Sequence, residues 1–205
     1  FPHDPSLWPS VRAERMRTLL GPAMQRADVD AWVVLARENA NDPIAEHIGA
    51  ENAGGLAAFL FFVVEGGSLE SIAISPETES TALAEVTPLD AVRSLPRGSS
   101  VYEAVAVELT TRDSRRIAVN SSSRNVADGL SWTQRSALER ALGPRLSSRL
   151  VSSEDVVIEW LSVKLPREVE IMRRAAVLTA ELELEAYGWV VPGETTDADV
   201  ARYLK

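Results

Sequence analysis

Two short, almost uninterrupted apolar runs constrain the fold more than any other feature of the sequence. The runs 31–35 (AWVVL) and 56–64 (LAAFLFFVV) are short and rich in β-branched and aromatic side chains. Such runs are typical of strands that are covered on both faces of a sheet. Neither run approaches the ~18–20 apolar residues that a membrane-spanning helix needs. The sequence therefore predicts buried strands in a layered α/β domain, with no membrane as partner.

Strand and helix signals alternate along the chain. The run 56–64 is followed by 65–68 (EGGS), where glycine permits a positive φ, and then by a further apolar run, so this region predicts a β-hairpin. The run 116–120 (RIAVN) predicts another buried strand. Ser131 is the predicted N-cap of a helix that ends at Gly143-Pro144. The pattern predicts an α/β fold with a mixed β-sheet flanked by helices.

The C-terminal part of the sequence predicts a separate set of helices. Pro166 interrupts the helical pattern and begins a long amphipathic stretch, and Thr196 with Asp199 resembles a capping box for one more helix. We therefore expect one domain over residues 1–164 and a second over residues 165–205.

Charge and residue types exclude several classes of function. The chain has 205 residues, of which 30 are acidic and 21 basic, and its net charge of -9 would repel a phosphate backbone, so we expect no nucleic-acid partner. The absence of cysteine excludes disulfides and thiolate catalysis. His3 and His47 are not spaced to bind a metal from one helix or strand. The absence of cysteine and the start at Phe1 lead us to expect an exported protein.

No motif in the chain supplies a catalytic constellation. There is no G-x-S-x-G elbow, and the serines 121–123 follow a predicted strand, which favours a polar turn. Glu181, Glu183 and Glu185 alternate along a predicted helix, which spreads them around its circumference and directs them away from a common metal. We therefore assign no catalytic and no metal-ligating residue.

The polar segment 37–55, between the first two predicted strands, is the best candidate for contact with a ligand. Loops that follow buried strands commonly display binding residues. His47 is the best single candidate in this segment, together with Arg37 and Asn39. The alternative interpretation is a partly buried histidine that packs and binds nothing, because the sequence places no evident partner beside it.

Several segments together resemble the creatinase, prolidase and Xaa-Pro aminopeptidase family. The segment 30–43 (DAWVVLARENANDP) resembles the first strand and following turn of the N-terminal domain, and 127–131 (ADGLS) resembles the start of a later helix. The segment 163–176 (VKLPREVEIMRRAA) is similar to the K-x-P-x-E-x-x-x-M-R-x-A junction of the family. The segment 191–196 (VPGETT) stands in place of the P-G-x-T-E turn.

The resemblance implies a creatinase-type N-terminal domain, followed by the first helices of a truncated pita-bread catalytic domain. It also implies a metal-dependent parent protein that hydrolyses a bond next to proline, or performs a related amidinohydrolase reaction. Two divalent ions (Mn, Co or Zn) would be held there by two aspartates, one histidine and two glutamates. Those ligands lie downstream in the family, so we expect this chain alone to be inactive and to hold no metal.

The resemblance further implies a peptide substrate and a homodimer in which this domain approaches the active site of the neighbouring subunit. Segment 37–55 would then limit substrate length. The helix after Pro166 has an apolar stripe (Val169, Met172, Ala176, Leu182 and Trp189), and such a stripe is self-complementary about a two-fold axis. A non-catalytic binding or assembly module that has lost the metal site is the alternative, and the encoded sequence beyond Lys205 would distinguish the two.

Overall fold

A computed structural model of the chain describes residues 5–38 and 42–205. Contacts divide the chain into two compact units, the first ending at Val163 and the second comprising Lys164–Lys205. Over the described ranges, no helix is both long enough and apolar enough to cross a membrane. The first unit contains the strands β1 (Ala31–Ala36), β2 (Ala57–Val63), β3 (Leu69–Pro76), β4 (Ala91–Leu95), β5 (Ile117–Val119) and β6 (Leu150–Ser152).

The helices of the first unit lie between and beside these strands. Helices α1 and α2 are joined by a π-helical turn at Met16–Leu20, and short 3₁₀ turns occupy Glu65–Gly67 and Asn125–Ala127. The helices are α1 (Leu7–Arg15), α2 (Gly21–Arg26), α3 (Ala45–Ile48), α4 (Glu77–Val86), α5 (Val101–Thr111), α6 (Trp132–Ser147) and α7 (Glu154–Ser162).

The strands form one mixed sheet in the order β4-β3-β2-β1-β5-β6. β2 is antiparallel to both β1 and β3, whereas β5 is parallel to β1 and β6 is parallel to β5. The antiparallel β2–β3 pair is the predicted hairpin, and both glycines of its turn have positive φ, at 84° for Gly66 and 80° for Gly67. The predicted α/β fold with a mixed sheet flanked by helices is confirmed.

The inner strands of the sheet are buried on both faces, as the continuous apolar runs predicted. Along β1, Trp32, Val34 and Ala36 pack on one face, while Val33 and Leu35 pack on the other. The first face is covered by α2, α3, α7 and the π-helical turn, and we call it the α7 face. The second face is covered by α5 and α6, and we call it the α5–α6 face.

The start of α6 agrees with its predicted cap, and its regular part also ends where it was predicted to end. The Ser131 hydroxyl accepts a hydrogen bond from the Gln134 amide, and the Gln134 side chain accepts one from the Ser131 amide, which completes a capping box. The regular helix that begins at Trp132 ends at Gly143-Pro144, as predicted, because Gly143 leaves the helical conformation. Gly143 takes a φ of 67° and kinks the chain, but helical structure resumes at Pro144, a residue suited to a first helical turn, and continues to Ser147.

The second unit consists of α8 (Pro166–Trp189) and α9 (Asp197–Tyr203). Thr196 and Asp199 form the predicted capping box at the start of α9. The rings of Trp189 and Tyr203 stack with centroids 5.1 Å apart, and the Tyr203 hydroxyl donates to Glu185 over 2.6 Å. These contacts hold α9 against the end of α8.

Candidate functional site

The carboxyl ends of β1 and β5 are the place where this topology would be expected to hold a ligand. The two strands are adjacent and parallel. After β1 the chain turns to α3 on the α7 face, while after β5 it turns to α6 on the α5–α6 face. In open α/β sheets, loops that leave neighbouring strands toward opposite faces create a crevice between them, and ligands bind there.

In this chain the crevice is filled by a buried polar network. Asp42 lies on the segment after β1, and Asn120 directly follows β5; both are almost fully buried. The Asn120 amide nitrogen donates to both carboxylate oxygens of Asp42 at 2.9 Å, and the Ile44 backbone amide donates to Asp42 Oδ1 at 3.0 Å. The Asn120 carbonyl oxygen accepts from Trp32 Nε1 at 2.8 Å and from the Ser153 hydroxyl at 2.7 Å.

The environment of Asp42 opposes a negative charge there. Burial raises the pKa of Asp42 above its usual range, and the nearby carboxylate of Asp128 acts in the same direction. The hydrogen bonds from Ile44 and Asn120 oppose this shift without cancelling it. Gly129 closes the crevice from outside, because a Cβ placed on it would lie 2.1 Å from Asp42 Oδ2. The crevice is thus closed by the protein's own side chains.

His47 lies on α3, on the α7 face, inside a row of aromatic rings. Its ring makes edge contacts with Trp8, at 5.5 Å between centroids, and with Trp160, at 6.1 Å. Trp160 in turn meets Trp32 at 6.0 Å, edge to face. The histidine is half-buried. Its side chain therefore joins exposed Trp8 to the core at the edge of the sheet.

Two buried arginines of α1 fix the surroundings of His47. Arg12 donates to the Glu46 carbonyl at 3.2 Å and forms an ion pair with Glu51 at 2.5 Å, so it holds both ends of the segment that contains His47. Arg15 donates to the carbonyl oxygens of Trp160 and Val163 at 2.6 and 2.9 Å. Charge-assisted hydrogen bonds of this kind are strong when buried, so α1, α3 and α7 are held as one assembly.

Arg37 lies directly after β1, whereas His47 lies on α3. Arg37 is exposed, and its charge acts on Tyr102 at the start of α5, as does the charge of Arg140 on α6. Tyr102 packs against the α5–α6 face, whereas His47 packs on the α7 face. Arg37 and His47 thus belong to different segments of the domain, and the third predicted binding residue, Asn39, lies outside the described residues.

The serine-rich turn after β5 carries no nucleophile in a catalytic arrangement. The Ser122 hydroxyl donates to the Glu154 carboxylate, and Arg124 Nε donates to the same carboxylate at 2.6 Å. The hydrogen bond from Ser122 and the contact with Arg124 lower the pKa of Glu154. A carboxylate held in the charged form in this way is a weaker general base, since the proton affinity that it needs is reduced. The turn is a structural link between β5 and α7.

The described residues do not form a metal centre. Across 5–38 and 42–205 there is no group of three or more histidine, aspartate or glutamate side chains that could hold an ion. Glu183 and Glu185 on α8 accept hydrogen bonds from Tyr187 and Tyr203, respectively, and are thus engaged locally. A two-metal site needs several carboxylates that converge, so these residues do not fit one.

The sequence indicated the crevice only in part. Asp42 falls within the polar segment 37–55 that the sequence predicts to contact a ligand, but the sequence predicts Asn120 only as the end of a buried strand. Its one sequence signal is an amide side chain directly after a buried run, at the edge where parallel strands place their carboxyl ends. Trp32 and Ser153 carry no sequence signal for this role, because only the tertiary fold brings them to Asn120.

Comparison with solved structures identifies the fold. The chain is similar to dipeptidase PepE from Mycobacterium ulcerans, with a TM-score of 0.62, 20% identity and 96% of this chain covered against 49% of that chain. It is also similar to X-Pro aminopeptidase from Thermotoga maritima (TM-score 0.55, 18% identity, 89% of this chain and 47% of that chain). A third similar structure is the Xaa-Pro dipeptidase from Bacillus anthracis (TM-score 0.54, 14% identity, 96% of this chain and 47% of that chain).

These comparisons establish a shared fold. The chain spans about half the length of these three solved structures. Its fold matches the N-terminal domain of Xaa-Pro peptidases, as the sequence resemblance implied. No protein-family model and no curated protein matches the sequence.

Proposed function

We propose that this chain is the N-terminal part of a metal-dependent Xaa-Pro peptidase of the aminopeptidase P or prolidase type. The observation that carries the proposal is the fold, which this chain shares with Xaa-Pro peptidases roughly twice its length. The mixed-sheet domain contributes dimer contacts and part of the wall of the substrate cleft. The two divalent catalytic ions (Mn, Co or Zn) are bound by the full-length parent protein. The substrate of that parent protein is a peptide.

The chain alone is expected to be catalytically inert. Its described residues lack converging carboxylates that could bridge two ions and activate water. The test is hydrolysis of a Xaa-Pro peptide by the 205-residue chain with added Mn²⁺, Co²⁺ or Zn²⁺, measured against metal alone. We expect no turnover above that control. Turnover that a chelator abolishes would contradict the assignment of the metal centre to the rest of the parent.

The role of His47 in the cleft is tested in the full-length parent. His47→Phe retains an aromatic ring between Trp8 and Trp160 but removes the polar nitrogens. If His47 contacts the substrate, this variant changes the ratio of kcat/KM values for a dipeptide and a tetrapeptide, while the melting temperature changes little. His47→Ala serves as the comparison, because it removes the packing as well. An unchanged ratio of kcat/KM values in both variants would show that His47 does not contact the substrate.

The proposed homodimer can be tested by substitutions on α8, in the second unit. Within α8 only Ala186 is buried, and Met172, Leu182 and Trp189 are 40–54% exposed. Apolar helix faces of this kind favour self-association. Leu182→Glu places a charge on the apolar stripe, and Leu184→Glu places one at an exposed position off the stripe. In sedimentation of the full chain we expect dimers for the native protein and for Leu184→Glu, and monomers for Leu182→Glu. A native chain that is monomeric at high concentration would refute this dimer.

A further inference from the structure

The sheet has a second pair of adjacent parallel strands from which the chain leaves toward opposite faces. β4 is parallel to β3, and Leu95 is in register with Pro76, so the two strands end at the same place. After β3 the chain enters α4, whose Leu83 packs in the core of the α7 face, whereas after β4 it enters α5, whose Val101 packs on the α5–α6 face. Chain segments that diverge in this way create a crevice at the carboxyl ends of the strands.

This second crevice is open, whereas the crevice at β1 and β5 is filled by Asp42 and Asn120. It forms a cavity of about 530 Å³ that is lined by residues 76–78 and 95–99 and by Val101. We call it the β3–β4 cavity. Its volume lies within the range of roughly 300–1,000 Å³ that is usual for small-molecule sites. The cavity can therefore take a ligand of the size of an amino acid or a short peptide.

Two side chains of opposite charge line the β3–β4 cavity. Arg97 belongs to the turn after β4, and Glu77 is the first residue of α4. Both are exposed, and among the residues that the structure describes neither side chain forms an ion pair or a hydrogen bond. Glu79, the other acidic residue in the first turn of α4, is engaged by the amides of Gly54 and Gly55 at 3.1 and 2.8 Å. Arg97 and Glu77 are thus the two charges that the cavity offers to a ligand.

The cavity also has an apolar part. Leu95 and Val101, both buried, line it together with Pro76 and Pro96. Apolar surface of this kind favours an apolar group of a ligand, because contact removes both from water. Ligand sites typically combine an apolar wall with a few polar groups that fix the orientation of the ligand. The β3–β4 cavity has this combination, with one positive and one negative group.

We propose that the β3–β4 cavity binds a small zwitterion with an apolar side chain, a free amino acid or a dipeptide. The Arg97 guanidinium presents paired N–H donors that match the two oxygens of the ligand carboxylate. The Glu77 carboxylate accepts hydrogen bonds from the ligand ammonium group, and the apolar part of the cavity contacts the ligand side chain. This site does not depend on the proposed peptidase function, because it is formed entirely by residues of the first unit.

The test uses the full 205-residue chain, labelled with ¹⁵N, and five probes. Leucine and the dipeptide Ala-Leu carry both charges. Acetylated Ala-Leu lacks the ammonium group, Ala-Leu amide lacks the carboxylate, and acetylated Ala-Leu amide is the neutral control. The readouts are the amide signals of Thr78, Gly98 and Ser99, whose titration gives a dissociation constant for each probe. We expect Ala-Leu to bind about ten-fold more tightly than either peptide with one blocked terminus.

Two variants connect each charge of the ligand to one side chain. Arg97→Gln and Glu77→Gln should each weaken the binding of Ala-Leu about ten-fold, and both should fold, because the native side chains are exposed and unpaired. Arg97→Gln should bind Ala-Leu and Ala-Leu amide equally, since the group that recognises the carboxylate is gone. Glu77→Gln should bind Ala-Leu and acetylated Ala-Leu equally, for the corresponding reason.

Arg17→Gln and Glu85→Gln are the matched control variants. Both residues are exposed and lie outside the cavity, Arg17 on the π-helical turn and Glu85 on α4. Their loss should change the affinity for Ala-Leu less than about two-fold, because exposed charges at a distance are screened by salt. Equal weakening by the control variants would show that overall charge, and not the β3–β4 cavity, attracts the ligand.

Three further outcomes would overturn the proposal. The absence of shifts with both leucine and Ala-Leu would show that the cavity binds no small zwitterion. Equal binding of the neutral peptide would show that neither charge is recognised. Binding of acetylated Ala-Leu as tight as that of Ala-Leu would show that the cavity recognises an anion alone. Comparison of the dissociation constants of leucine and Ala-Leu identifies the source of the zwitterion.

Discussion

The two faces of the central sheet are covered by cores of different chemistry. On the α5–α6 face the buried apolar side chains contributed by the helices are all aliphatic: Val101, Ala104, Val105, Leu109, Leu138, Leu142 and Leu146. On the α7 face the core contains Trp32, Phe59, Phe61 and Trp160, and hydrogen bonds tie Trp32 and Trp160 to Asn120 and Arg15, respectively. The α5–α6 face is held mainly by the packing of apolar side chains, whereas the α7 face is held by packing and by hydrogen bonds.

This difference has a consequence for the segment that carries His47. Aliphatic cores tolerate repacking as long as volume and pattern are preserved. Buried hydrogen-bond networks specify one arrangement, because a partly satisfied network costs more than an apolar one. The α7 face therefore fixes segment 42–51 through Asp42 and Arg12, and holds His47 at a defined place. The same segment would lose its position if the network were broken.

The largest effect is expected for Asn120→Leu. The substitution leaves Trp32 Nε1 and the Ser153 hydroxyl without an acceptor and removes the amide that donates to Asp42. Each buried polar group that is left without its hydrogen-bond partner costs about 1–3 kcal/mol. We expect the free energy of unfolding, measured by urea denaturation, to fall by about 4 kcal/mol, because three such groups lose a partner.

Asn125→Leu is the matched control, since it makes the same substitution at an exposed position in the neighbouring 3₁₀ turn. Its effect should stay within about 0.5 kcal/mol. A loss below about 1 kcal/mol for Asn120→Leu would mean that the network does not distinguish the two faces.

On the opposite face, Leu138→Ala is expected to cost about 3 kcal/mol, which lies within the usual range for buried leucine. The loss comes from apolar contacts and from the cavity that remains. It should therefore leave the NMR signals of His47 and Asp42 unchanged, whereas Asn120→Leu should shift them. Changes in the His47 signals of Leu138→Ala would show that packing on the two faces of the sheet is coupled, and would contradict this expectation.

Gly129→Ala tests how tightly the crevice is closed. A Cβ at this position would lie 2.1 Å from Asp42 Oδ2 and 2.3 Å from its Cγ, so the carboxylate has to move. Overpacking of this kind typically costs 1–3 kcal/mol, and we expect a loss of about 2 kcal/mol in denaturation experiments.

Gly188→Ala is the matched control, because a Cβ there meets nothing within 4 Å and the residue lies inside α8. Alanine is the better helix former, so this variant should be neutral or more stable by up to about 1 kcal/mol. If Gly129→Ala behaved like the control, the crevice would have room for a ligand beside Asp42.

The fold was predictable from sequence wherever local signals agreed with burial. The hairpin β2–β3, the strand β1 and the cap of α6 follow from apolar runs, paired glycines and a Ser–Gln spacing, all of which act within a few residues. The sequence analysis assigned no element to β4 or α5. In β4 only Leu95 is buried, so its sequence Ala-Val-Arg-Ser-Leu lacks the continuous apolar character of the inner strands. An edge strand of this kind forms because it pairs with β3, which lies beside it.

The site was less predictable, because its residues come together only in the folded chain. Asn120 meets Asp42 across 78 positions of sequence, and Arg15 meets Trp160 across 145. The polar segment 37–55 predicts His47 as a candidate for ligand contact, but the contacts of His47 with Trp8 and Trp160 depend on α1 and α7.

The smallest change is expected for Asp42→Asn, and its signature is a dependence on pH. Burial raises the pKa of Asp42 in the folded protein above its value in the unfolded chain. The folded state therefore binds this proton more tightly, so the stabilisation is complete below the unfolded pKa and is lost as pH rises through the folded pKa. Asparagine cannot titrate, and its carbonyl oxygen can still accept from the Ile44 amide. The free energy of unfolding of the native chain should thus fall relative to that of Asp42→Asn as pH increases across the mildly acidic range.

Leu138→Ala is the control, and it should show the same loss of unfolding free energy at every pH, because no titrating group is removed on that face. The opposite result would be a native chain that gains stability relative to Asp42→Asn as pH increases. That result would mean that the hydrogen bonds of Asn120 and Ile44 outweigh burial, and that Asp42 fills the crevice as a stabilised anion.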